Sequence, residues 1–338
     1  MKKVIGIALV AIVIFATSCS KETEAPTVKV NKAVYIVNGG AETIDIFNVE
    51  TGELDTNVIT TGTTPNVLKK FGDYLYLVNS GFGGIPMIQK IDYHENTVVD
   101  SFVLPVGSNP WDIAWDGSNF YVTSYTFDKV YKLNSSGIIV DSADAGVSPE
   151  GVLFFDGKLF VVASFYHRST YQPDTGYLYE YTPDLAKIDS VKLFVNPTLI
   201  VTDSEYLYVA GGDYANGGNV YKIGPDSLSI IDSLSLDGTP GAFVVKNGKG
   251  YLTGYSYFPT VIDLNTLSVI TTYTDAPASM GFMGIDVNSD ASKIYVSVAS
   301  WQQQNYLWVI STDTGDTSSV ELGNGKGSQI VKYMEIEE

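Results

Sequence analysis

The side chains in this chain that could do chemistry are few, and most of them fall in turns. Two histidines occur, His94 in "DYHENT" and His167 in "SFYHRSTYQPDTGY", and Cys19 is the sole cysteine. Zinc and copper clusters need several converging imidazole or thiolate ligands, more than this chain has. His167 is the one histidine placed to act as a base, because His94 sits at the far end of a strand. No G-x-S-x-G elbow, P-loop or dinucleotide fingerprint stands where a helix could follow, and "GGDYANGG" reads as a turn between strands. Asn66, Asp112 and Glu150 each come just after a proline, and such oxygen ligands suit Ca²⁺. The matching positions Thr198, Gly241, Met283 and Ser328 complete no cage.

What the turns hold in quantity is aromatic rings. Phe82, Tyr125, Phe127, Tyr166, Tyr171, Tyr214, Tyr255, Tyr257 and Trp301 all lie in short segments between apolar strands, and Trp111 lies in a loop entering one. Phe165 and Phe258 share these segments and read more readily as core. If three rings of about 200 Å² each are half covered by a ligand, about 300 Å² is buried, on the order of 8 kcal/mol before ordering costs. Asp112, Glu150 and Asp213 add acceptors, and Arg168 beside His167 would meet an acidic group or a partner. These residues form the candidate ligand surface, with no residue assigned to catalysis, no metal and no resident cofactor.

The elements that position them are repeats. "AVYIVNGG", "YLYLVNSGFGG", "FYVTSYTF", "LFVVASFYH", "LYVAGGDY", "GYLTGYSYF" and "IYVSVASWQ" align on Tyr35, Tyr76, Tyr121, Phe160, Tyr208, Tyr251 and Tyr295, a period of roughly 43 residues. Each copy has a second short strand downstream, a third after a turn, and a fourth upstream joined through "DGSN", "DGK" or "NGK". Asp-Gly and Asn-Gly tolerate the positive φ of two-residue hairpins. Four short antiparallel strands per repeat is the pattern of a propeller blade. The sequence thus predicts an all-β, seven-bladed β-propeller. The first copy lacks its upstream strand, and "GKGSQIVKYMEI" at the other end supplies it, so pairing of Ser328–Ile336 with Ala33–Asn38 closes the ring. In such a blade the strand-two to strand-three loops and the loops entering the inner strands share one face. All the turn aromatics then converge on one rim, while the opposite turns are polar at their tips.

The repeat resembles the YVTN family of β-propellers, and the resemblance runs from about Lys32 to Glu338. Lactonase-like and lyase-like propellers are enzymes of related architecture. At the N-terminus, Lys2 and Lys3, an apolar run from Val4 to Ala16 and "ATSC" form a signal sequence too short to span a bilayer. The small residues before Cys19 resemble the lipobox of bacterial lipoproteins, which implies cleavage and lipidation at Cys19. Residues 1–18 are read as signal peptide, 19–32 as acylated Cys and flexible tether, and 33–338 as propeller. The polar "SKETE" is similar to the export signal of surface lipoproteins in Bacteroidetes-type bacteria. Net charge is −18, and loss of Lys2 and Lys3 makes it −20, which argues against nucleic acid and anionic lipid headgroups as partners.

The lipobox, tether and seven blades together resemble the BtuG-type lipoproteins of Bacteroidetes. That resemblance implies a surface-exposed outer-membrane lipoprotein that captures cobalamin or another corrinoid and passes it to a TonB-dependent transporter. It supplies no residue-level binding motif. Alternative expectations are a protein-interaction or adhesion propeller of the envelope, and a lactonase- or lyase-like enzyme. A monomeric propeller, held at the membrane by its lipid alone, is expected.

Overall fold

In the computed structural model, the described residues are 30–277, 281–300 and 303–337. They form seven four-stranded antiparallel sheets. Each sheet runs from an inner strand to an outer one, and six follow chain order. The inner strands of those six are β4 (Pro65–Phe71), β8 (Pro110–Trp115), β12 (Pro149–Phe155), β16 (Pro197–Thr202), β20 (Ala242–Lys246) and β24 (Phe282–Val287). The seventh sheet, blade one, takes its inner strand from the other end of the chain. There β28 (Ser328–Glu337) pairs with β1 (Val30–Asn38), Lys332 opposite Tyr35 and Ile336 opposite Asn31. The expected closure is present, and β1 begins three residues before the expected boundary at residue 33. Ser328 Oγ lies 2.6 Å from Asn38 Oδ1, joining positions 290 residues apart.

The core is divided among the blade interfaces. Seven apolar clusters occur among the described residues, each spanning two neighbouring blades. Strand alternation explains this, since each blade presents one set of side chains to each neighbour. β28 serves two interfaces: Met334 and Ile336 pack between blades one and two, and Val331 packs between blades seven and one.

The inner hairpins are as tight as the sequence predicts. Asp156 and Gly157 have φ of 49° and 72°, and Asn247 and Gly248 have 50° and 69°. Positive φ at both central residues matches the twist of the flanking strands.

The repeated tyrosine has a specific task. The Tyr35 hydroxyl lies 3.1 Å from the Tyr93 carbonyl, in the outer turn of the next blade. Tyr121 repeats this with the Pro183 carbonyl at 2.8 Å, and Tyr208 with the Leu264 carbonyl at 3.4 Å. Asp116 and Asp203, which cap the preceding hairpins, take the same hydroxyls at 2.7 Å. Blades one, three and five are thus clasped to blades two, four and six. Tyr295, at the closing interface, instead stacks its ring on Tyr333 (centroids 5.7 Å apart, planes 8° apart), and its buried hydroxyl has no partner.

Removal of a satisfied hydroxyl should destabilise, and removal of an orphaned one should not. Tyr121→Phe should cost about 1–2 kcal/mol in denaturant unfolding, and Tyr295→Phe should be neutral or stabilising. Equal losses for the two variants would refute this account of the repeated tyrosine.

Candidate functional site

The aromatics divide sharply by exposure. Among the described residues, the exposed large aromatic side chains are Phe82 (79%), Phe127 (41%), Tyr171 (74%), Tyr214 (79%) and Tyr255 (46%). Each lies on the loop between the second and third strands of one blade, from blade two to blade six in turn. They form a crescent on one face, as the sequence predicts. The opposite turns and the outer strands carry no exposed aromatic among the described residues; the outer strands expose Val and Ile instead. Trp301, in the corresponding loop of blade seven, lies outside the described residues, as does Cys19.

The structure brings the expected residues closest together at blades three and four. Trp111 stacks on Tyr125 with centroids 5.1 Å apart and planes 29° apart. The Arg168 guanidinium sits 5.5 Å from the Tyr125 ring centroid, within the range of a cation–π contact. Arg168 also reaches both carboxylate oxygens of Asp128, at 2.8 and 3.0 Å, and donates to the Tyr125 carbonyl and Ser148 Oγ. A forked guanidinium bonded in this way is a positional staple. It fixes the long blade-four loop onto blade three, and Ser148 Oγ adds a bond to the Tyr166 carbonyl at 2.8 Å. His167 closes that loop by backbone pairing with Gln172, and its Nε2 lies 3.7 Å from Asp174 Oδ2. The acidic group that Arg168 meets is Asp128 of the neighbouring blade, so the guanidinium is committed within the protein.

Three further expectations are corrected by burial. Tyr257 is 8% exposed and packs between blades five and six, against Gly238, where a Cβ would strike its ring. Asp112 is buried, and its carboxylate is saturated by the N–H groups of Ile113 (2.7 Å) and Val152 (3.0 Å) and by Lys69 Nζ (2.6 Å). It ties blade three to its neighbours and offers no acceptor to a ligand. Glu150 is also buried, off the channel mouth. Burial raises its pKa from the ordinary 4.5 to about 8, and a hydrogen bond with Ser164 offsets part of the rise. It therefore stays protonated at neutral pH beside Tyr125, whose own hydroxyl is pushed up by burial and then by Glu150.

A β-bulge explains why these two acids turn inward. The pairing of β8 with its neighbour jumps between Pro110 and Ile113, and that of β12 jumps between Pro149 and Val152. Asp112 and Glu150 fall inside those jumps, so simple alternation does not give their direction. Among the described residues no group of three or more His, Cys, Asp or Glu is placed to hold a metal ion. No helix there is long and apolar enough to cross a membrane. The axis of the ring is an open channel of about 870 Å³. Sequence reasoning missed Lys69, Asp286 and Lys332 on its wall; alignment of the inner strands against the repeated tyrosines would have found them.

A family model described as YNCE-like beta-propeller matches residues 4–158. Among solved structures, apo AztD from Citrobacter koseri is 12% identical, with a TM-score of 0.58, covering 91% of this chain and 99% of that one. Dihydro-heme d1 dehydrogenase NirN in complex with DHE is 16% identical, with a TM-score of 0.58, covering 89% and 74%. The beta-propeller domain of Cps50 (Swd1) from Myceliophteria thermophila is 13% identical, with a TM-score of 0.59, covering 79% and 89%. No curated protein matches the chain. At these identities the likeness is one of fold: this chain is a seven-bladed propeller.

Buried Glu150 gives a pH test. The folded chain holds this proton up to about pH 8, whereas the unfolded chain releases it near 4.5. The native state binds more protons across that window, so this residue's contribution makes stability fall as pH rises through it. Glu150→Gln should melt higher than the parent at pH 8, with the gap closing toward pH 4.5. A gap that does not change with pH would contradict the buried, protonated state.

Proposed function

We propose that this chain is an exported, lipid-anchored propeller that captures a bulky, flat small molecule on its aromatic crescent. Cobalamin or another corrinoid is the leading ligand, and a TonB-dependent outer-membrane transporter is the recipient. The observation that carries the reading is the one-sided placement of the exposed rings. Five blades each aim one at the same face, and the remainder of the described surface lacks them. Apolar exposure gathered on the loops of one face marks a binding surface. Stacked, anchored rings such as Trp111 and Tyr125 lose little entropy on contact, which favours broad planar ligands. Asp112 is saturated and Glu150 is buried and protonated, so the rings supply most of the area this surface offers to a ligand. The reading is of binding rather than catalysis. The anchor at Cys19 and the outer-membrane location rest on the signal-like N-terminus.

The test uses the protein without its signal and lipid, mixed with cyanocobalamin and passed over a sizing column. Visible absorbance should travel with the protein. Tyr171→Ala, Tyr214→Ala and Trp111→Ala should each weaken binding by roughly fifty-fold, the loss of about 2.5 kcal/mol from half a ring's burial. Colourless protein would overturn the corrinoid reading and shift attention to protein partners of the same face.

A further inference from the structure

None of the five exposed crescent rings lines the axial channel, which only Trp111 of the stacked pair borders, and the wall of that channel is patterned. The strand register places one residue of each inner strand opposite the repeated aromatic of its neighbour. These are Lys332 opposite Tyr35, Lys69 opposite Tyr76, Ala114 opposite Tyr121 and Leu153 opposite Phe160. Val201 opposite Tyr208, Val244 opposite Tyr251 and Asp286 opposite Tyr295 complete the set. Equivalent positions in seven equivalent blades form a belt at one height around the axis. The belt is split. Blades seven, one and two contribute Asp286, Lys332 and Lys69, and blades three to six contribute only apolar side chains.

The charged arc presents donors rather than acceptors. The Asp286 carboxylate receives the N–H groups of Val287 (2.9 Å) and Tyr333 (2.9 Å) as well as Lys332 Nζ (3.0 Å). Asp112 is saturated in the same way. Lys69 spends its ammonium on Asp112 and on the carbonyls of Ile113 and Val152. Lys332 has Asp286 as its one acceptor among the described residues, while its side chain remains 30% exposed against 9% for the aspartate. An ammonium has three N–H bonds to give. The open hydrogen-bonding capacity of this belt is therefore on Lys332, facing a wall of Leu153, Val201 and Val244. A cavity of this volume, apolar on one side with one oriented donor on the other, has the make-up of a small-molecule site.

We propose that the channel binds an amphiphilic carboxylate, with its head on Lys332 beside Lys69 and its apolar body against Leu153, Val201 and Val244. This site is separate from the crescent and stands or falls independently of it.

The test is a calorimetric titration of the protein with decanoate at neutral pH. Lys332→Met alone would strand a buried carboxylate, so the charge variant is Lys332→Met/Asp286→Asn. Decanoate should bind saturably at one site. Affinity should drop by roughly ten-fold or more in the charge variant, and similarly when decanol replaces decanoate with the parent protein. Val201→Trp, which fills the channel, should abolish binding, and Tyr214→Ala on the crescent should leave it unchanged. Melting curves report whether each variant is folded; if Val201→Trp is not, the charge variant decides. Absence of decanoate binding, equal affinity in the folded charge variant, or loss through Tyr214→Ala would each overturn the proposal.

Discussion

Everything in this molecule depends on one pairing, that of β28 with β1. The strand that completes blade one comes from the far end of the chain, and its two faces enter two interfaces, through Met334 and Ile336 on one side and Val331 on the other. Burial of three such side chains contributes on the order of 5–9 kcal/mol, comparable with the whole stability of a typical domain. The chain has to bring its ends together before that gain appears, but the entropy cost of closing a loop grows only slowly with its length. Closure also removes the free inner edge of blade one, which would otherwise template aggregation. The same strand carries Lys332 into the channel and Tyr333 onto Tyr295. Ring closure, channel wall and blade-seven packing are consequences of a single segment.

Closure also accounts for the difference between the two faces. Hairpins on one face are held to short turns, such as Asp156–Gly157 and Asn247–Gly248, whose backbone leaves little freedom of sequence. Loops on the other face are free to lengthen, and the blade-four loop, residues 164–174, does so most. Length brings mobility, which would spoil a recognition surface. Arg168 answers this by fastening the loop to Asp128, Ser148 and the Tyr125 carbonyl of the neighbouring blade. Rings on such loops present apolar area without the disorder that exposed loops ordinarily have.

The fold was legible in the sequence because its signals repeat. A tyrosine every 43 residues or so, Asp-Gly and Asn-Gly at the hairpins, and a leftover strand at the end specify blades, face and closure together. The site was legible only in part. Phe82, Phe127, Tyr171, Tyr214 and Tyr255 are exposed as read, because loop tips follow from strand boundaries. Asp112 and Glu150 were misread as mouth acceptors, since a bulge after each inner-strand proline breaks the alternation that would have shown their direction. Tyr257 begins a strand rather than filling a loop, and a one-residue difference of that kind moves a ring from solvent to core. Lys69 and Lys332 are polar residues at inner-strand positions where Leu153, Val201 and Val244 stand elsewhere. That contrast is visible only once all seven blades are aligned.

If one face of the ring is the capture surface, oxidative footprinting will show it. Hydroxyl-radical labelling of Tyr171, Tyr214 and Tyr255, followed by mass spectrometry, would be compared with and without saturating cyanocobalamin. The account predicts protection confined to these crescent residues, with Tyr206 and His94 on the opposite face labelled equally in both states. Labelling unchanged at the crescent, or protection on the opposite face, would contradict it.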